Sequence, residues 1–168
     1  MKSSLILILN LLICLSVGSV SADDEKSVEE SLYEVQRPEE EWRDILSSKQ
    51  YDILRKNGTE TAFTGEYLYN KKDGIYHCAA CKNALFSSEK KYNSRTGWPS
   101  FWEAIEPQAV QPVSDMSFGM TRTEIVCARC GSHLGHIFHD GPDPTGLRYC
   151  INSAALMFIT EDTESTKN

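Results

Sequence analysis

Four cysteines fall into two matching units, Cys78-Ala79-Ala80-Cys81 and Cys127-Ala128-Arg129-Cys130. A two-residue gap lets both sulfurs of one tight turn face a single ion, and two such turns complete the closed tetrahedral thiolate shell that zinc accepts. Gly131, directly after the second unit, suits a turn that needs a residue at positive φ. The competing reading is a pair of disulfides, which an oxidising compartment would favour. The duplicated spacing points to one structural zinc. Metal binding at such a site is typically worth roughly 10–16 kcal/mol of folding free energy.

Of the six cysteines, Cys14 lies in an apolar N-terminal stretch, so Cys150 is the sulfur left without a structural duty. If Arg148-Tyr149-Cys150-Ile151-Asn152 is extended, Arg148 and Asn152 share the face of Cys150. A guanidinium there favours thiolate, and an amide can donate a hydrogen bond. The same stretch, with Leu147, Tyr149 and Ile151, fits an inert cysteine in a core strand equally well. His133, His136 and His139 stand at equal spacing beside Phe138 and Asp140. They fit surface, core, metal-ligand or acid–base roles. Asn93 to Trp102 crowds Trp98, Pro99, Phe101 and Trp102 into a loop-like stretch, which suits core filling or an aromatic wall for an apolar ligand group.

The elements that must position these residues begin after a leader. Lys2 is a basic head, Leu5 to Val17 is nearly unbroken apolar sequence, and Val20-Ser21-Ala22 resembles a cleavage site, so residues 1–22 read as a secretory signal peptide. A membrane anchor would need about 17–25 apolar residues, and this run is shorter and broken by Asn10. Residues 23–36 are acidic, lack an apolar period and read as a flexible arm. Residues 37–160 then form one domain, followed by a polar tail at 161–168. Pro38 as first helical residue, acidic Glu39 to Glu41, and Trp42, Ile45 and Leu46 on one face predict a short helix. Ser47-Ser48 closes it and caps a second helix carrying Tyr51 and Leu54, which Asn57-Gly58 ends. Beyond Gly65, β-branched and aromatic runs at Gly74–His77, Thr121–Val126, Ile137–Phe138, Leu147–Ile151 and Leu156–Ile159 alternate with Pro and Gly turns. That texture predicts a mainly β, antiparallel assembly rather than βαβ units.

Gly97-Trp98-Pro99-Ser100-Phe101, the Gly131 to Phe138 stretch and Arg148 to Ala154, together with the paired cysteine units in this order, resemble the B-type methionine sulfoxide reductases. The likeness spans roughly Arg37 to Ile159. It implies two small antiparallel sheets with short peripheral N-terminal helices, a zinc staple remote from the active site, and no organic cofactor. The implied activity is reduction of the R epimer of methionine sulfoxide in proteins or peptides. By position, Cys150 matches the nucleophile, Trp98 the ring that takes the sulfoxide methyl group, and His133, His136 and Asn152 the polar groups around the oxygen. Phe138 lies within the matching stretch and joins the substrate-binding set, while Asp140 and Arg148 match charged residues that shape the site. Many members carry a resolving cysteine where this chain has Thr96. The expected reductant is therefore external: a thioredoxin-like or glutaredoxin-like partner, or a small thiol.

A non-enzymatic zinc-ribbon binding module explains the four paired cysteines too, but gives Cys150, Arg148 and Asn152 nothing to do. A disulfide-bonded protein with one free thiol shares that weakness. The net charge of −7, from 17 basic and 24 acidic side chains, disfavours a nucleic-acid partner. The remaining expectations are a monomer, no membrane attachment after leader cleavage, and a place in the secretory pathway, either secreted or in the endoplasmic reticulum lumen.

Overall fold

The computed structural model describes residues 33–160. The expected leader at 1–22, residues 23–32 of the acidic arm and the tail at 161–168 lie outside the described residues. Among the described residues, no helix is long and apolar enough to cross a membrane.

Helix α1 (Glu39–Ile45) starts from Pro38, which sits at the N-cap with extended ψ rather than inside the first turn. Its three glutamates face the positive end of the helix dipole. Trp42 and Leu46 are buried as the periodicity requires, but Ile45 is 52% exposed. The helix is too short for a wide apolar stripe, and Leu46 is already its extended C-cap. Helix α2 (Ser48–Lys56) opens with a full capping box: Gln50 N–H donates to Ser47 Oγ, and Ser47 N–H donates to Gln50 Oε1. It buries Tyr51, Ile53 and Leu54 and ends on Asn57 in the left-handed region.

Two antiparallel sheets follow. The smaller has the order β2 (Ala84–Ser87), β1 (Gly74–Cys78), β9 (Leu156–Thr160). The larger has six strands in the order β3 (Lys91–Tyr92), β4 (Ser100–Phe101), β8 (Arg148–Ile151), β7 (His133–Phe138), β6 (Arg122–Cys127), β5 (Val110–Asp115). Stacked aromatics join the sheets. Phe86 lies on Phe101 at 4.5 Å between centroids, Tyr76 meets Phe101 edge-on at 5.1 Å, and Phe86 meets Tyr149 at 5.6 Å. Leu85, Leu134 and Ile151, all fully buried, fill the same layer with Trp42 and Leu54 from the helices.

The mainly β, two-sheet architecture expected from the sequence is present, with strands the sequence did not announce. β2 and β5 carry weak patterns, and β5 contains Pro112. As the edge of its sheet β5 tolerates a missing N–H and exposes Gln111, Pro112 and Ser114. Two-residue β4 crosses the stretch read as loop-like. At the described end of the arm, Val35 N–H donates to Arg129 O at 2.9 Å, and Glu34 pairs with the Arg129 guanidinium.

Candidate functional site

The paired cysteine units form two equivalent turns. In the first, Lys82 N–H donates to Cys78 O and Cys78 N–H to Asn83 O; in the second, Gly131 N–H donates to Cys127 O and Cys127 N–H to Ser132 O. Both turns need positive φ at the residue after the second cysteine, met by Lys82 at 65° and Gly131 at 68°. The four sulfurs lie within 4.8 Å of one another, with Cys78 to Cys130 at 3.8 Å and Cys81 to Cys127 at 3.5 Å. A tetrahedral ion with ~2.3 Å metal–sulfur bonds sets sulfur–sulfur edges of about 3.8 Å. A disulfide needs about 2.05 Å, and all four thiols are free. Asn83 Nδ2–H points at Cys127 Sγ from 3.7 Å, a donor suited to a thiolate, and Cys130 Sγ lies 3.3 Å from Ser132 Oγ. The residues fit a four-coordinate metal ion of structural type. The second turn is also the hairpin between β6 and β7, so an ion there fixes the start of the strand that carries the histidines.

Cys150 is the only described cysteine outside that cluster. It is half-buried in β8, where Ser100 of β4 is its Cα partner on one side and His136 of β7 on the other. Directly opposed residues point to the same face of a sheet. The row continues outward: Tyr92 pairs with Ser100, Glu124 with His136, and Val113 with Glu124. One transverse line of side chains thus runs Tyr92, Ser100, Cys150, His136, Glu124, Val113.

His133 joins this face through an irregularity. It lies three positions before His136, which in a regular strand puts them on opposite faces. Val126 pairs with His133 while Ile125 pairs with Gly135, so β7 holds one extra residue, a β-bulge. Leu134 stays in the core, and the two imidazoles meet edge to face at 5.6 Å. His139, exposed at the end of β7, does not join the pair.

The two rings are held by different atoms. His133 Nδ1–H donates to Glu124 Oε1 at 2.6 Å, and Asn57 Nδ2–H from the cap of α2 holds the same oxygen at 3.2 Å. His133 Nε2 is buried without a hydrogen-bond partner. His136 instead donates from Nε2 to Asp115 Oδ2 at 2.8 Å. Hydrogen bonds from Ser117, His136 and Arg122 hold the Asp115 carboxyl well below the usual carboxylate range.

Arg148, two register positions from Cys150 and so on the same face, pairs with Phe138 across the ladder and lays its guanidinium 4.2 Å from the centre of that ring. It is buried and bidentate to Asp140, at 2.8 and 2.9 Å. The expected lowering of the Cys150 thiol by Arg148 is present but outweighed. Burial pushes the thiol up, and a hydrogen bond from Thr96 and the charge of Arg148 offset this only in part.

Ile151 N–H donates to Pro99 O, extending the ladder beyond β4 and bringing Trp98 alongside Asn152, diagonal to Cys150. Trp98 is half-buried, with its indole N–H on Glu60 O at 3.1 Å. Asn152 is turned inward: Oδ1 accepts from Glu60 N–H, and Nδ2 gives one hydrogen to Leu134 O. Its second amide hydrogen remains.

Sequence reasoning did not single out Glu60, Glu124 or Asp115. The Glu60 carboxylate is fully buried and accepts from Ser153 N–H at 2.5 Å and Ala154 N–H at 3.3 Å, more than ninety positions along the chain. Spacing in one sequence carries no trace of such a contact. Only Glu124, inside the run read as a strand, sat where alternation could have flagged a carboxylate on the histidine face.

The arrangement offers a nucleophilic sulfur, imidazole nitrogens held by carboxylates, a locked guanidinium and an indole wall. Residues 46–160 match the SelR domain. A "Peptide methionine sulfoxide reductase MsrB" of Thiobacillus denitrificans is 60% identical over 122 residues, 73% of this chain and 92% of that protein. Proteins of the same name from Methanosarcina barkeri and Leptospira interrogans are each 55% identical, covering 76% and 77% of this chain and 90% and 98% of their own lengths.

Proposed function

The chain belongs to the SelR-domain family of B-type methionine sulfoxide reductases, and from that premise we propose that it reduces the R epimer of methionine sulfoxide in oxidised proteins or peptides. The observation that carries this reading is the register Ser100, Cys150, His136, which sets the one cysteine outside the metal cluster directly across from an imidazole.

The Cys150 thiolate attacks the sulfoxide sulfur to form a sulfur–sulfur bond while the oxygen takes a proton, and the hydroxyl then passes from the substrate sulfur to Cys150 Sγ as the sulfur–sulfur bond breaks with its electrons going to the substrate sulfur. Methionine leaves, and Cys150 becomes a sulfenic acid. The unpartnered Nε2 of His133 supports giving the imidazolium form of that ring, whose Nδ1–H stays on Glu124, the proton donation, with His136 and the remaining Asn152 amide hydrogen as further partners of the oxygen. Trp98 and Phe138 suit the methyl and side-chain carbons of the substrate, and the Arg148–Asp140 pair fixes the charge beside the sulfur.

Thr96 stands where a resolving cysteine would be, which supports regeneration by external thiols. One thiol displaces water to give a mixed disulfide, and a second releases Cys150 and leaves as the oxidised disulfide. A thioredoxin-like or glutaredoxin-like protein or a small thiol fits this step. The sulfur spacing and its polar partners support structural zinc at Cys78, Cys81, Cys127 and Cys130. The apolar leader at 1–22 supports entry into the secretory pathway, and the chain is proposed to work as a monomer there or after secretion.

Dithiothreitol-driven turnover of the separated R and S epimers by the wild type and Cys150→Ser tests the proposal. Activity on the R epimer alone, absent from a folded Cys150→Ser, is expected. Equal turnover by that variant, or preference for the S epimer, refutes it.

A further inference from the structure

A line of hydroxyl groups ends on the Cys150 sulfur. Thr96 Oγ1 lies 3.8 Å from Cys150 Sγ and 2.8 Å from Ser94 Oγ, which in turn lies 2.7 Å from Ser100 Oγ. Ser100 Oγ is also within 3.3 Å of Trp98 O, and Thr96 N–H points at Ser94 Oγ from 3.4 Å. Ser100 is fully buried. The line runs from the sulfur to a backbone carbonyl through three groups that each own one hydrogen and can both give and accept.

That inventory allows two self-consistent arrangements. With Cys150 as a thiol, its S–H donates to Thr96, Thr96 to Ser94, Ser94 to Ser100, and Ser100 to Trp98 O. With Cys150 as a thiolate, every hydroxyl rotates: Ser100 donates to Ser94, Ser94 to Thr96, and Thr96 to the sulfur. Only the second places a donor on the negative sulfur, and its last hydroxyl gives up nothing but one carbonyl contact. Bonds to a charged group are stronger than neutral ones, and a chain of them is mutually polarised.

We infer that Thr96, Ser94 and Ser100 form a reversible hydroxyl relay whose thiolate-facing polarity stabilises the Cys150 anion, with Thr96 in direct contact with the reacting atom. The inference rests on the functional reading only in naming Cys150 the nucleophile. Other charged or titratable groups face the sulfur: His136 from β7, Arg148 from its own strand, Asp140 bound to that arginine, and Tyr92 along the register row. The Asp140 carboxylate already takes two Arg148 hydrogen bonds, and His136 donates to Asp115. Thr96 is therefore the uncharged donor nearest to hand. The relay deepens the meaning of a threonine at the place of a resolving cysteine. The position still contacts the sulfur, but through a proton instead of a second thiol.

The test is the pH dependence of Cys150 alkylation by iodoacetamide in the metal-loaded protein, read on the Cys150 peptide by mass spectrometry. Thr96→Val should raise the midpoint by about one unit, a roughly tenfold slower reaction at fixed lower pH. Thr96→Ser should restore the wild-type midpoint, and Ser94→Ala should move it upward by less. Metal content and circular dichroism verify the fold, and Thr96→Ala replaces the valine variant if that fails to fold. A wild-type midpoint in Thr96→Val, equal shifts in Thr96→Val and Thr96→Ser, or no shift in Ser94→Ala overturns the relay. Alkylation needs no sulfoxide. A protein inactive on both epimers but shifted by Thr96→Val sinks the function and leaves the relay, whereas normal turnover with unshifted variants sinks the relay alone.

Discussion

Replacing Gly135 with alanine isolates the contact between the histidine strand and the cysteine strand. Gly135 is the Cα partner of Ile151, and a Cβ built on it would stand 2.0 Å from the Cys150 carbonyl oxygen and 3.0 Å from Ile151 Cα. Its backbone is not left-handed, so the alanine suffers from the clash and from nothing else. Neither atom it meets is a flexible side-chain end. β7 and β8 must therefore part by roughly 1.2–1.4 Å to restore an ordinary carbon–oxygen contact near 3.2–3.4 Å. The displaced pair includes His136 and Cys150, and a shift of about 1 Å between reacting groups can cost roughly 100-fold in rate. Overpacking at a buried site adds about 1–3 kcal/mol of destabilisation, a fall in Tm of roughly 4–12 °C for a domain of this size. Turnover of the R epimer, metal content and thermal melting of the variant give the three readouts. The expected result is a folded, metal-loaded protein with kcat/KM down by about two orders of magnitude. Wild-type turnover together with an unchanged Tm would refute the reasoning.

Other outcomes follow from the same geometry. Removal of the metal by a strong chelator should abolish the cooperative fold, as a site of this kind holds roughly 10–16 kcal/mol; persistence of the near-ultraviolet dichroism in metal-free protein would contradict this. Without substrate, alkylation of wild-type Cys150 should still be accelerating at pH 9.0, the ordinary thiol value, because burial raises this thiol; a plateau by neutral pH would oppose it. The depressed Asp115 carboxyl contributes stability that is present above its unfolded value near 3.8 and is lost as pH falls from there towards the folded value. Wild type should thus lose more stability than Asp115→Asn between pH 7 and pH 3 in urea titrations. Glu60→Ala should cost about 2–5 kcal/mol by urea denaturation, since it strands the Ser153 and Ala154 N–H groups in a buried place.

Local chemistry was legible in the sequence wherever a short segment carries its own constraint. The duplicated cysteine gap specified two metal-ready turns, Ser47-Ser48 specified a helix start, Asn57-Gly58 specified its end, and β-branched and aromatic runs punctuated by turn residues after Gly65 specified strands. Resemblance in three short segments nominated Cys150, Trp98, His133 and His136. β5 escaped notice because an edge strand needs neither alternation nor every N–H. Ile45 was misplaced on the buried face because a helix of two turns buries only the positions its partners cover.

Tertiary structure alone decided which groups meet. The extra residue in β7 turns His133 onto the face of His136, Glu60 reaches across more than ninety positions to Asn152 and Ser153, and Thr96 lands against a sulfur fifty-four positions away. The direction in which the Cys150 thiol shifts was also set there, because burial raises it more than Thr96 and Arg148 lower it. The physical reason is common to all of these. Residue type and spacing fix what a short segment can do by itself, whereas strand register, bulges and desolvation arise only when distant segments exclude water together.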